Sequence, residues 1–228
     1  MKKTVIAATL TALTLGMSNA ALANTKAGDF ASGLELDSKM NMDTGSAGNR
    51  KEFGAKVFAS YQGAGLSHKV KAGEGNETET NLNYTYGWEN VWLTGEAELV
   101  TKKLANDQHK FGLTVGSNLN GLFDTSLRYR LDKDSESKFA DRSEVDRFDF
   151  FVGKQLTDNV YLGAKAISQT ENTASRQGSK KDWMNYEVRA TFNNVSPNMI
   201  PYFEYAREYN QNLRKDDNNV KVGLVLPF

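Results

Sequence analysis

An extended chain that carries arginine on every second residue makes a ladder for carboxylates. Arg128 and Arg130 are placed that way, in the stretch Leu127-Arg128-Tyr129-Arg130. Arg147 and Arg189 lie in stretches of the same alternating kind. A guanidinium group stays charged and grips a carboxylate through two parallel hydrogen bonds. On alternate residues of a strand such groups stand about 6.6–6.8 Å apart. A row of them can pass a polyacid from rung to rung, provided each contact is weak enough to release. Lys110 and Lys165 share the parity of these arginines, as do Lys56, Lys69 and Lys221. Glu96, Glu98, Asp149, Glu187 and Glu204 fall on the same face. Two arrangements are therefore open. The cations form a track for anions, or local pairs such as Arg189 with Glu204 neutralise one another and hold the interior rigid and wet.

These side chains need strands to carry them, and the chain has about twelve segments that alternate apolar and polar residues with period two. The last is the plainest, with Val220, Val222, Leu224, Leu226 and Phe228 on one face. Others put Leu82, Tyr84, Tyr86 and Trp88, or Phe123, Leu127, Tyr129 and Leu131, on the apolar side. The segment Phe30–Lys39, with Leu34 and Leu36 on one face, is weak, and that around Val160–Ile167 is ambiguous. In the eleventh, Phe203, Tyr205 and Tyr209 alternate with Tyr202, Glu204 and Glu208. Each segment is close to the roughly 9–11 residues that cross a bilayer as a tilted strand. The connections alternate long and short. The long ones are expected around Met40–Arg50, Gly73–Thr80, Lys102–His109, Asp132–Ser143, Thr170–Lys181 and Asn210–Asn219. Asn120-Gly121 and Asp158-Asn159 have the composition of hairpin turns.

Composition narrows the class. Lys2 and Lys3, an apolar run from Val5 to Met17 and Ala21-Leu22-Ala23 read as an export signal over 1–23, leaving 24–228 as one domain. Without Lys2 and Lys3 the remainder carries 26 basic and 28 acidic residues, which argues against a nucleic-acid partner. The mean hydropathy of −0.57 is compatible with a membrane barrel, whose strands give only alternate residues to lipid. With charges opposite the apolar faces, Tyr and Trp near strand ends and a terminal Phe228, the pattern favours an all-β transmembrane antiparallel barrel over a soluble sandwich or lipocalin-like barrel. In a membrane barrel the polar face lines the lumen.

Catalysis is poorly supported. There are two histidines; His68 has lipid-facing parity and His109 falls at the end of an expected outer loop. The absence of Cys and of paired histidines argues against a metal centre. Acidic clusters at Asp132, Asp134 and Glu136, or Asp216 and Asp217, read as solvated loop charges rather than Ca²⁺ ligands. Trp92, Tyr161 and Tyr202 have lumenal parity, where they either stack on sugar faces or fill space.

Three motifs carry a resemblance. Leu127-Arg128-Tyr129-Arg130 followed by Asp132, then Val145-Asp146-Arg147-Phe148-Asp149, then Ile200-Pro201-Tyr202-Phe203-Glu204-Tyr205, resemble the oligogalacturonate-specific porin family from about Phe111 onward. The resemblance implies a twelve-stranded monomer whose narrow pore is lined by arginine tracks, serving acidic sugars. Arg128, Arg130 and Arg147 match family positions, while Arg189 rests on parity alone. The chain departs from the family in its near-neutral charge, its inward glutamates and Pro227, which removes a ladder donor from the closing strand.

The expectation is a passive channel of the bacterial outer membrane, without cofactor or chemical step, for acidic oligosaccharides or other small anions. The substrate-binding residues expected are Arg128, Arg130, Arg147, Arg189, Lys110 and Lys165. Outer-membrane lipid would surround a monomeric barrel, and Phe228 would present the chain to the barrel-assembly machinery. The alternatives are a general small-solute porin, a barrel enzyme and a structural barrel with a plugged lumen.

Overall fold

A computed structural model describes residues 30–43, 51–73, 76–135, 142–173, 181–196, 198–210 and 215–228. The expected export signal over 1–23 lies outside the described residues. Twelve strands follow in chain order: β1 (Phe30–Asn41), β2 (Lys51–Tyr61), β3 (Ala64–Ala72), β4 (Glu77–Trp88), β5 (Val91–Lys102), β6 (Gln108–Leu119), β7 (Phe123–Asp134), β8 (Glu144–Thr157), β9 (Val160–Glu171), β10 (Asp182–Phe192), β11 (Ile200–Asn210) and β12 (Lys215–Pro227). Each pairs antiparallel with its chain neighbours, and β1 pairs with β12 to close the barrel. Closure satisfies every strand edge, a requirement in hydrocarbon, where an unpaired amide has no water to bond.

The alternation read from sequence is the alternation of the wall. Leu82, Tyr84, Tyr86 and Trp88 on β4 are exposed, as are Phe148 and Phe150 on β8 and Val222 on β12. The residues between them point inward. The ambiguous β9 resolves with Tyr161, Gly163 and Ile167 buried inside and Leu162 outside.

Large inward rings find room over glycines of the adjacent strand. An added Cβ at Gly116 would stand 2.2 Å from the Trp92 ring, and one at Gly223 would stand 2.2 Å from the Tyr202 ring. Phe58 covers Gly33 in the same manner. Trp92, Tyr161 and Tyr202 are therefore buried wall packing.

Three expectations about connections change. Pairing of β11 with β12 runs out to Asn210 opposite Lys215, so the connection expected over Asn210–Asn219 is 211–214. Pairing of β3 with β4 runs out to Lys71 opposite Glu77, so their connection is 73–76 and Glu79 is a lumenal strand residue. The short-turn side includes a longer link, 193–199, which folds on itself through a bridge between Ser196 and Met199. Asn120 and Gly121 adopt positive φ, 53° and 74°, as the hairpin composition requires.

Tyr209 is a correction. Its parity placed it outside with Phe203 and Tyr205, but it is buried, with its ring 6.2 Å from that of Trp183 and Val145 beside them. The β10–β11 ladder stops at Tyr186 opposite Arg207. The Tyr209 amide then donates to the Asn185 side-chain oxygen at 2.8 Å, and the alternation breaks there.

The seam between β1 and β12 is tied at both ends. On the short-turn side the Phe228 amide donates to the Ser32 carbonyl at 3.1 Å, and Ser32 Oγ donates to the Phe228 oxygen at 2.8 Å. Because the Phe228 amide faces β1, that of Pro227 would face β11, whose ladder has ended at Val225. The missing donor thus falls where nothing would accept it. At the other end the Asp43 carboxylate accepts from the Asn218 amide at 2.6 Å and from its side chain at 3.1 Å.

Candidate functional site

The lumen is a girdle of charge. Arg128, Arg130, Arg147, Lys165 and Arg189 line one cavity of about 300 Å³, together with Glu35, Lys56, Lys69, Glu79, Glu96, Glu98, Glu187, Glu204 and Lys221. Lys110 stands beside it, held by Glu98 at 2.6 Å. All six cations singled out in the sequence face inward.

None of them is without a carboxylate. The expected Arg189–Glu204 pair forms directly across β10 and β11, and Lys221 joins the same glutamate at 2.7 Å. Lys165 pairs with Glu187 across β9 and β10. Arg128 gives Nε and Nη2 to Asp149 and Nη1 to Glu96 at 3.0 Å. Arg147 gives Nε to the same Asp149 at 2.6 Å and Nη2 at 3.0 Å. Arg130 bonds Asp132 through Nη2 at 2.7 Å. Basic and acidic side chains are nearly equal in number around the wall.

The Arg128–Glu96 bridge and a further one, Lys69–Asp37, each span a strand at a glycine. Glu96 on β5 reaches Arg128 on β7 across Gly112 of β6, where an added Cβ would stand 2.5 Å from the glutamate oxygen. Asp37 on β1 reaches Lys69 on β3 at 2.5 Å across Gly54 of β2. Neither glycine drew notice in the sequence, where a gap in a strand face has no visible partner.

A second network crosses the closing seam. Lys56 pairs with Glu35 at 2.7 Å, and Glu35 accepts from the Tyr202 hydroxyl at 2.7 Å. The Arg189 guanidinium lies 4.3 Å from the Tyr202 ring centre, a cation–π distance. Glu35 and Asp37 escaped the sequence reading because their strand was the weakest, although Leu34 and Leu36 already implied their direction. Asp132, expected in an outer loop, is a buried strand residue, and Asp217 is likewise buried on β12. Asp134 and Asp216 also lie on strands, while Glu136 is outside the described residues.

Both histidines lie on strands with outward parity. His68 bonds Thr80 at 2.9 Å on the exposed face, and His109 belongs to β6 rather than a loop. Among the described residues no group of three His, Cys, Asp or Glu side chains is arranged to hold a metal ion.

Outside the membrane-spanning strands, Asp43 has its carboxyl held below its ordinary value, first by the Asn218 amide and then by the Asn218 side chain.

A closed twelve-stranded antiparallel barrel, apolar toward lipid and charged within, is a transmembrane β-barrel of the bacterial outer membrane. Solved structures of that kind share the fold. The NanC porin superposes with a TM-score of 0.73 at 16% identity, covering 85% of this chain and 98% of its own. The KdgM porin, in a complex with disordered oligogalacturonate, superposes with a TM-score of 0.66 at 16% identity, covering 85% of this chain and 99% of its own. The outer membrane phospholipase A from Escherichia coli gives a TM-score of 0.54 at 9% identity, covering 86% and 89%. No family model and no curated protein matches the sequence.

Proposed function

We propose that this chain is a passive outer-membrane channel with a preference for small anions, acidic oligosaccharides first among them. The observation that carries the reading is the contiguous patch of Arg128, Arg130 and Arg147 on two adjacent strands, facing the cavity. Guanidinium groups so grouped match the carboxylates of a uronic-acid polymer. The KdgM porin, which shares the fold, has been solved with oligogalacturonate. No chemical step is assigned. A fold shared with a phospholipase leaves activity to side chains, and both histidines here have outward parity. An export signal removed after Ala23, and presentation of Phe228 to the assembly machinery, belong to the same reading.

One observation favours a second reading, a general small-solute porin: every cation of the patch is already compensated by a carboxylate. Reversal potential in a planar bilayer under a KCl gradient, with and without trigalacturonate, separates the two. Anion-selective current that trigalacturonate blocks supports the acidic-sugar channel. Unselective and unblocked current overturns it in favour of the general porin.

A further inference from the structure

The arginine patch is not three equivalent rungs. Arg128 is spent on the protein: its Nε and Nη2 go to Asp149 and its Nη1 to Glu96, so each of its nitrogens is held by a carboxylate. Among the described residues Arg147 has one carboxylate, and that is the same Asp149. The Asp149 side chain is 0% exposed, placed beneath the two guanidinium groups rather than in the solute's path. One buried carboxylate therefore serves two cations. Arg130, directly opposite Arg147 on the ladder, has a separate partner in Asp132.

We infer that Asp149 is the residue that sets how strongly this lumen holds a passing carboxylate. It acts as an internal counter-ion. A solute carboxylate that engages Arg147 must take over bonds that Asp149 already makes, and on departure Asp149 recovers them. The exchange keeps binding weak enough for passage, the condition that conduction imposes on any site in a pore. In this account Arg128 is a strut that fixes Asp149 in place, and Arg147, with Arg130 facing it, is where solute binds. Asp149 is a positioning residue: it touches the arginines, not the solute. The inference rests on the channel reading above and names the residue that tunes it.

The test compares Asp149→Asn with Glu98→Gln in planar bilayers. Both remove one lumenal negative charge, but among the described residues Glu98 releases a single lysine, Lys110. Asp149→Asn is expected to lengthen individual trigalacturonate blocking events about tenfold, the worth of roughly one charge-assisted hydrogen bond. It should also move the KCl reversal potential further toward anion selectivity than Glu98→Gln does. An effect no larger than that of Glu98→Gln overturns the inference, because a generic charge change then suffices. If Asp149→Asn fails to give a heat-modifiable folded barrel, adding Arg128→Gln and Glu96→Gln removes the strut together with its other carboxylate, and the net change in lumenal charge stays the same. That triple variant should still lengthen the blocks, since Arg147 has lost Asp149; unchanged blocks there overturn the inference. If trigalacturonate does not block the unmodified channel, the acidic-sugar reading fails by itself. The KCl comparison then decides the role of Asp149.

Discussion

Arg130 and Arg147 stand directly opposite one another across the β7–β8 ladder, two like charges where a pair of opposite charges would stabilise the sheet. Each is turned to a carboxylate on its own strand, Asp132 and Asp149, two residues along. The repulsion is thereby shielded, and two guanidinium groups remain side by side at the lumen. That juxtaposition separates the groups that face a solute from those that hold the wall.

Arg147→Gln should lower anion selectivity and shorten trigalacturonate blocks while the barrel stays stable, because Asp149 keeps Arg128. Reversal potentials and block durations check the first part. Urea unfolding in phospholipid vesicles checks the second.

Arg128→Gln should act chiefly on stability. It leaves Glu96 without its arginine and Asp149 with Arg147 alone. Breaking a buried pair by removing one partner costs about 3–5 kcal/mol. The structure thus gives Arg128 a stabilising role. A urea midpoint equal to that of the unmodified protein would count against it.

Two glycine replacements should differ in cost. At Gly223 a Cβ meets the rigid Tyr202 ring, and overpacking of that kind costs about 1–3 kcal/mol. At Gly112 it meets the flexible end of Glu96, so Gly112→Ala should disturb the Glu96–Arg128 bridge at less cost than Gly223→Ala. Pairing Gly223→Ala with Tyr202→Ala in a double-mutant cycle should show strong coupling between the two sites.

Pro227→Ala should change stability by less than about 1 kcal/mol, the scale of the unfolded-chain entropy term. The position has no ladder acceptor on the β11 side, so a restored amide would gain no bond. A larger stabilisation in urea unfolding would show that β11 does reach it.

The outer end of the seam should loosen in acid. Asp43 is held below its ordinary value of 3.8 in the fold, so its contribution is fully present above that value. It is lost as pH falls through the lower, folded value. Hydrogen exchange at the Asn218 amide should therefore show its protection falling as pH drops below about 3.8, the point where the unfolded carboxyl takes up its proton. Asp43→Asn should remove that dependence.

Period-two alternation determined much of this molecule in advance. A strand turns successive side chains to opposite faces whatever its neighbours are. The faces of β4, β7 and β12, the inward direction of Arg128, Arg130, Arg147, Arg189, Lys110 and Lys165, and the number of strands followed from residue types alone. Arg189 with Glu204 was legible too, because the two residues have the same inward parity on consecutive antiparallel strands.

Tertiary structure decided which partner each charge meets. Glu96 and Arg128 are two strands apart, and their contact depends on two inter-strand registers and on the empty space above Gly112. Asp149 is shared because β8 places it below both arginines, a consequence of ladder register. Tyr209 turned inward where the β10–β11 ladder stopped, and no local pattern records the end of a ladder. Side-chain direction is a property of one strand, whereas side-chain partnership belongs to the closed barrel.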